Sequence, residues 1–164
     1  MSQKVDLKPL LRFMKTLPKS GDVELSLLKV HLLIEEMLTV IISKSFKNPS
    51  HLKEARLSFS QKIKLARAAD GIPHEEWVWK ALDLLNKARN ELSHNLTAEE
   101  ITEKLENFTS YVELHHKELP RENSSEKFTR FHWSVFVVYM LISTVANFDP
   151  ASIRYKTLLG GSYA

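Results

Sequence analysis

Apolar residues recur at three- and four-residue steps along most of the chain, which is the spacing of amphipathic helices. The longest such stripe predicts a helix from Asp22, its N-terminal cap, to about Phe46. A capping box that opens at Ser58 predicts the start of a further helix, and no strand-like alternation is present. The pattern predicts an all-α bundle of about five to seven helices in one domain, residues 1–150, followed by a C-terminal tail, residues 151–164.

The segment from Lys80 to Leu96 combines an apolar helical stripe with a polar end. Asn90 and His94 are four residues apart and share a helix face, whereas Arg89 and His94 are about 140° apart around an ideal helix. An Arg stem is long enough to swing back, and the last turn of the helix can unwind after Ser93. A permanent guanidinium charge near an imidazole, which changes its charge close to neutral pH, suits chemistry on a phosphodiester.

An alternative from the residues alone is an intramolecular polar network. In it, Arg89 pairs with Glu35 or Glu91, and His94 binds a backbone carbonyl at the end of its helix. His31 and Glu35, four residues apart on the second helix, have three interpretations. They assist the Arg/His pair in one cleft, they bind a divalent metal, or they hydrogen-bond at the edge of the core. Because two ligands are too few for a stable zinc site, we expect no metal and no cofactor.

Charge is distributed unevenly, although the net charge is only +3. From residue 44 to residue 67 there are seven Lys and Arg residues against one acid, and from residue 97 to residue 126 there are eight Glu residues against three basic ones. The basic segment is either an ordinary solvated face or a surface that attracts a polyanion. On the second interpretation, Arg56, Lys62 and Lys64 are the expected substrate-binding residues.

Composition excludes several classes of protein. The chain has no Cys, so disulfides, thiol catalysis and zinc fingers are excluded. Residues 131–148 carry no formal charge if His132 is neutral, but polar residues interrupt them and their length is near the lower limit for a membrane span. We therefore expect a core or interface helix there and no membrane partner. The N-terminus lacks the apolar core of a signal peptide, so the expected location is cytoplasmic.

Three segments together resemble HEPN domains, the higher eukaryotes and prokaryotes nucleotide-binding superfamily. Arg89–His94 matches the pattern of an Arg, a polar residue, three further residues and a His. His31–Leu38 looks like the second helix of the family, and Glu54–Ala66 is similar to the branch of mannitol-operon repressor-like proteins. The resemblance covers roughly residues 22 to 119.

The resemblance implies an all-α domain that pairs as a homodimer, with the Arg and His of both protomers lining one cleft. Many members are metal-independent endoribonucleases, and others are non-catalytic binding or regulatory modules. We therefore expect an RNase in which His94 transfers protons, Arg89 stabilises the phosphate and Asn90 assists, in stress response or phage defence. His31 and Glu35 would support them.

The alternatives are a module that binds nucleotide, RNA or protein, as in transcriptional regulators, and, more weakly, a DNA-binding helix-turn-helix around Ser58–Arg67. RNA is the expected partner. An antitoxin or a regulatory protein is a further partner that this interpretation allows.

Overall fold

The computed structural model describes residues 7–18, 22–69, 76–94, 98–117 and 129–147. These residues form six α-helices and one short 3₁₀ helix, and they contain no strand. The all-α prediction and the expected number of helices are therefore confirmed. The helices are α1 (Lys8–Thr16), α2 (Val23–Lys44), α3 (Phe59–Ala69), α4 (Trp77–His94), α5 (Ala98–His115) and α6 (Arg130–Asn147), with the 3₁₀ helix Pro49–Lys53 between α2 and α3.

Helix α2 lies at the centre of the bundle and packs against α1, α3, α4 and α6. Leu27, Ile34 and Leu38 are fully buried along it. Burying a side chain of this size stabilises a fold by about 1.5–3 kcal/mol, so the apolar stripe that the sequence predicts is the main support of α2. The carboxylate of Asp22 accepts a hydrogen bond from the backbone N–H of Leu25 at 2.9 Å, which confirms the predicted cap.

Helix α4 is amphipathic, and its burial determines which side chains reach the surface. Leu82, Leu85 and Ala88 are fully buried, while α4 packs against α5, α3, α2 and α6. Their spacing of three residues leaves Asn86 and Arg89 at the edge of the buried face. The polar residues at the end of this segment therefore lie towards the surface, because the two leucines and the alanine occupy the buried side of α4.

The capping box at the start of α3 forms as predicted. The backbone N–H of Ser58 donates to Gln61 Oε1 at 2.8 Å, and the backbone N–H of Gln61 lies 3.3 Å from Ser58 Oγ. Just before it, Arg56 has a positive φ of 46°, in the left-handed region. The chain thus leaves the 3₁₀ helix through a sharp change of direction and enters α3 at a fixed angle.

His132 ties the start of α6 to the start of α2. The backbone N–H and the hydroxyl of Thr129 both donate to His132 Nδ1, at 3.2 and 2.8 Å. The protonated Nε2 therefore donates to Ser26 Oγ at 2.9 Å, and the Ser26 hydroxyl donates to the carbonyl of Asp22 at 2.5 Å. Burial lowers the pKa of His132 below its ordinary value of 6.5, so the neutral ring is the form that fits this network.

Helix α5 ends at His115. His115 Nδ1 donates to the carbonyl of Tyr111 at 2.8 Å, and the His115 ring stacks on Trp77 at 5.5 Å between centroids. A His that binds one of the last carbonyls is a common way to finish a helix. The tail predicted at residues 151–164 lies outside the described residues.

The length and hydropathy of the described helices indicate whether one of them could span a membrane. None of them, α6 included, combines the length and the hydropathy needed to cross a bilayer. In α6, Val135, Val138 and Ile142 are fully buried in the same core cluster as the side chains of α2.

We expect the free energy of unfolding to fall as the pH is lowered from 7.5 to 5. Because the folded-state pKa of His132 is below 6.5, the unfolded chain binds more protons in this range, and each such His contributes a slope of at most about 1.4 kcal/mol per pH unit. His132→Gln should flatten the slope, measured by urea unfolding at each pH. His51→Gln is the control, since the His51 side chain is 74% exposed. Equal slopes for the parent and His132→Gln would contradict the prediction.

Candidate functional site

The last two turns of α4 carry the residues that the sequence singles out. Asn90 and His94 are exposed, and Arg89 is partly exposed at the edge of the core. The helix remains regular through His94, so it does not unwind after Ser93. Arg89 and His94 are therefore held about 140° apart around α4 and about 7.5 Å apart along its axis. One chain presents both groups to the surface but does not bring them into contact.

Arg89 forms no internal ion pair within the described residues. Its guanidinium Nη1 lies 3.4 Å from Asn90 Oδ1, which is a long hydrogen bond between neighbours. The interpretation in which Arg89 pairs with Glu35 or Glu91 is therefore not observed. His94 likewise makes no hydrogen bond or ion pair with the described part of the chain.

His31 lies behind Arg89, between α2, α3 and α4. Its imidazole is 6% exposed and stacks on Phe59, with 3.8 Å between ring centroids and 26° between planes. His31 Nε2 donates to Asn86 Oδ1 at 3.4 Å, since the amide oxygen can only accept. This arrangement is the hydrogen bond at the core edge that was one of the three interpretations of His31, and it also brings His31 near Arg89.

The pKa of His31 is lowered from its ordinary value of 6.5, mainly because burial penalises the charged ring. The hydrogen bond to Asn86 acts in the opposite direction. The nearby charge of Arg89 lowers the pKa further, whereas the charge of Glu35 raises it. The lowered pKa favours the neutral ring, so His31 is a packed hydrogen-bonding group and not a second cation beside Arg89.

Glu35 and Lys62 form an ion pair that joins α2 to α3. Lys62 Nζ lies 2.8 Å from Glu35 Oε1, and the two side chains are 18% and 30% exposed. The charge of Lys62, which the sequence assigns to substrate binding, is therefore already balanced by a carboxylate. A polyanion would have to compete with Glu35 for this ammonium group.

The three predicted substrate-binding residues do not lie together. Arg56 and Lys62 line one cavity of about 190 Å³ between α2, the 3₁₀ helix and α3. Lys64 is an exposed residue of α3 that does not line this cavity. Neither Arg56 nor Lys64 has an ion pair within the described residues, so both contribute uncompensated positive charge.

Two residues of the site were missed by the sequence reasoning. Asn86 precedes Arg89 by three residues and Asn90 by four, so its helical spacing signals a shared polar face. Phe59 gives no such signal, because its contact with His31 joins two helices that are distant in sequence. No group of three or more His, Asp or Glu side chains suited to a metal ion occurs among the described residues.

Comparison of the chain with protein-family models, with curated proteins and with solved structures gave no match. The resemblance to HEPN domains accordingly rests on the sequence segments described above.

The charges near His31 predict the direction in which its pKa changes when either charge is removed. Arg89→Gln removes a cation and should raise the pKa of His31, whereas Glu35→Gln removes an anion and should lower it. The measurement is an NMR titration of the imidazole resonances. The imidazole of His51, whose side chain is 74% exposed, serves as the internal control in each variant. A His31 titration curve that is identical in both variants and the parent would contradict the proposed proximity.

Proposed function

We propose that this chain is a HEPN-type, metal-independent endoribonuclease that acts on RNA as a homodimer. The observation that carries the proposal is the state of the α4 terminus, where Arg89 has no carboxylate partner among the described residues and His94 is exposed. A guanidinium without a partner, held at the core edge by a packed helix, is a ready site for a phosphate group.

The chemistry needs a proton acceptor, a proton donor and a cation. The ribose 2′-hydroxyl loses its proton to a base and attacks the adjacent phosphorus, the bond to the 5′-oxygen breaks, and that oxygen takes a proton from an acid. The products are a 2′,3′-cyclic phosphate and a 5′-hydroxyl. We assign proton transfer to His94, stabilisation of the pentavalent phosphorane to Arg89 and a hydrogen bond to phosphate to Asn90.

A second copy of the chain would bring together an Arg89 and a His94 that one helix holds apart. When two α4 termini face each other, Arg89 of one protomer can approach His94 of its partner. An apolar stripe supports such pairing: Leu25, Leu28 and Leu32 follow each other at three- and four-residue steps on α2, and Leu32 is 60% exposed. This stripe runs along the helix that also carries His31.

The basic segment supports a polyanionic substrate. Lys47, Lys53, Arg56 and Lys64 are exposed and form no ion pair within the described residues. Arg67, in contrast, is paired with Glu76. Uncompensated cations of this kind attract a phosphate backbone, with an affinity that decreases as salt increases.

The second candidate function is a non-catalytic regulatory module that binds RNA, nucleotide or protein through the same surface. The separation of Arg89 and His94 within one chain favours it, because a regular α4 holds the two side chains about 140° apart and a single protomer does not bring them into contact. The two functions differ in turnover and not in the residues that they use.

RNA cleavage in the presence of EDTA tests the proposal. Arg89→Ala and His94→Ala should each lower the rate by about 10²- to 10⁴-fold, because each removes a group that acts in the transition state. His51→Ala, which removes an exposed imidazole elsewhere, should retain parental activity. Mass spectrometry should identify cyclic phosphate ends on the products.

Two outcomes would decide against the nuclease. Parental activity in a folded Arg89→Ala or His94→Ala variant would remove the assigned roles. If the parent shows no turnover while Arg89→Ala loses RNA binding, the regulatory module is correct.

Leu32→Asp should weaken the homodimer, because it places a charge on the apolar stripe. Light scattering coupled to gel filtration should give a dimer mass for the parent and a lower mass for the variant at the same concentration. Leu114→Asp is the matched control, since Leu114 is 67% exposed on α5, away from the stripe. Equal masses for the parent and Leu32→Asp would refute this interface.

A further inference from the structure

A cavity of about 190 Å³ lies between α2, the 3₁₀ helix and α3, apart from the end of α4. It is smaller than the roughly 300–1,000 Å³ of pockets that hold drug-sized ligands, so its ligand is a compact one. Three cationic side chains, Lys53, Arg56 and Lys62, line it together with Ser43 and Thr39.

Two of the three cations have charge available for a ligand. Lys62 is bound to Glu35 at 2.8 Å, so its charge is balanced. Lys53 and Arg56 are exposed and have no hydrogen bond or ion pair within the described residues. The cavity therefore offers two uncompensated positive charges, one of which is a planar fork that can hold two oxygens of one group.

The rest of the lining is apolar. Ile42, Pro49, Leu52 and Leu57 line the cavity alongside the cations. A free inorganic anion would use only the charged rim, whereas a ligand with a carbon skeleton would also cover these side chains. The lining thus matches a molecule with a charged end and an apolar body.

The backbone at Arg56 is unusual in a way that bears on this cavity. Its φ of 46° lies in the left-handed region, which residues other than Gly, Asn and Asp seldom occupy. Outliers of this kind cluster at ligand-binding positions. Here the left-handed residue is the Arg that lines the cavity.

We propose that this cavity binds a compact organic phosphate, with Lys53 and Arg56 on the phosphate and Leu52 and Leu57 against the carbon skeleton. A phosphomonoester fits better than a carboxylate because it carries close to two negative charges at pH 7, which match the two free cations. The site shares Lys53 and Arg56 with the basic surface that we propose attracts RNA, but binding of the organic phosphate does not require RNA cleavage.

Calorimetric titration at low salt, with phenyl phosphate, inorganic phosphate and phenol as probes, tests this site. Phenyl phosphate should bind more tightly than inorganic phosphate, and phenol should not bind measurably. Arg56→Gln and Lys53→Gln should each weaken phenyl phosphate binding by about tenfold or more, since each removes a charge-assisted contact. Lys64→Gln, which removes an exposed charge outside the cavity, should stay within about twofold of the parent.

Several results would overturn the proposal. They are no saturable binding of phenyl phosphate at millimolar concentration, equal binding of phenol, or an equal loss in Lys64→Gln, which would show only general attraction to a basic surface. If Arg56→Gln is unfolded by circular dichroism, Arg56→Asn replaces it, because Asn tolerates positive φ, and Lys53→Gln still decides. The His94→Ala variant should bind phenyl phosphate as tightly as the parent does. The outcome of the binding test therefore does not depend on the outcome of the RNase assay.

Discussion

The burial of α2 is the constraint on which the rest of the structure depends. This helix packs against four of the other five α-helices, and ten of its residues are buried. His31 and Glu35 are placed in its middle, where polar groups without partners are costly. Their partners come from neighbouring helices: Asn86 of α4 for the imidazole and Lys62 of α3 for the carboxylate. These two contacts form a polar junction between α2, α3 and α4, because polar groups on a largely buried helix need partners from its neighbours.

That junction connects two surfaces with different chemistry. On one side, the charge of Arg89 lowers the pKa of His31, and Arg89 also contacts the exposed Asn90 near the end of α4. On the other side, Lys62 both binds Glu35 and lines the cavity that contains Arg56. Because Lys62 carries a single charge, an anion that enters the cavity competes with Glu35 for it. The ion pair between α2 and α3 is thus the physical link between the cavity and the neighbourhood of Arg89.

The features that could be predicted from the sequence are local ones. Asp22 and Ser58 were identifiable as caps because the donor and acceptor groups lie within three residues of each other. The contacts that complete the site are different, since Phe59 reaches His31 across 28 positions of the chain and helical periodicity carries no information about such pairs. The same limit applies to Lys62: its positive charge could be read from the sequence, but the carboxylate that balances it could not.

The rigidity of α4 determines how Arg89 and His94 can work together. Since the helix stays regular through His94, the angle of about 140° between the two side chains cannot be closed without breaking backbone hydrogen bonds near the end of α4. A guanidinium on a long stem can swing, but its Cα stays beside the buried Ala88, which fixes the stem at the core edge. In the homodimer that we propose, a second chain avoids this cost, because a rotation between rigid bodies can bring Arg89 of one protomer towards His94 of the other.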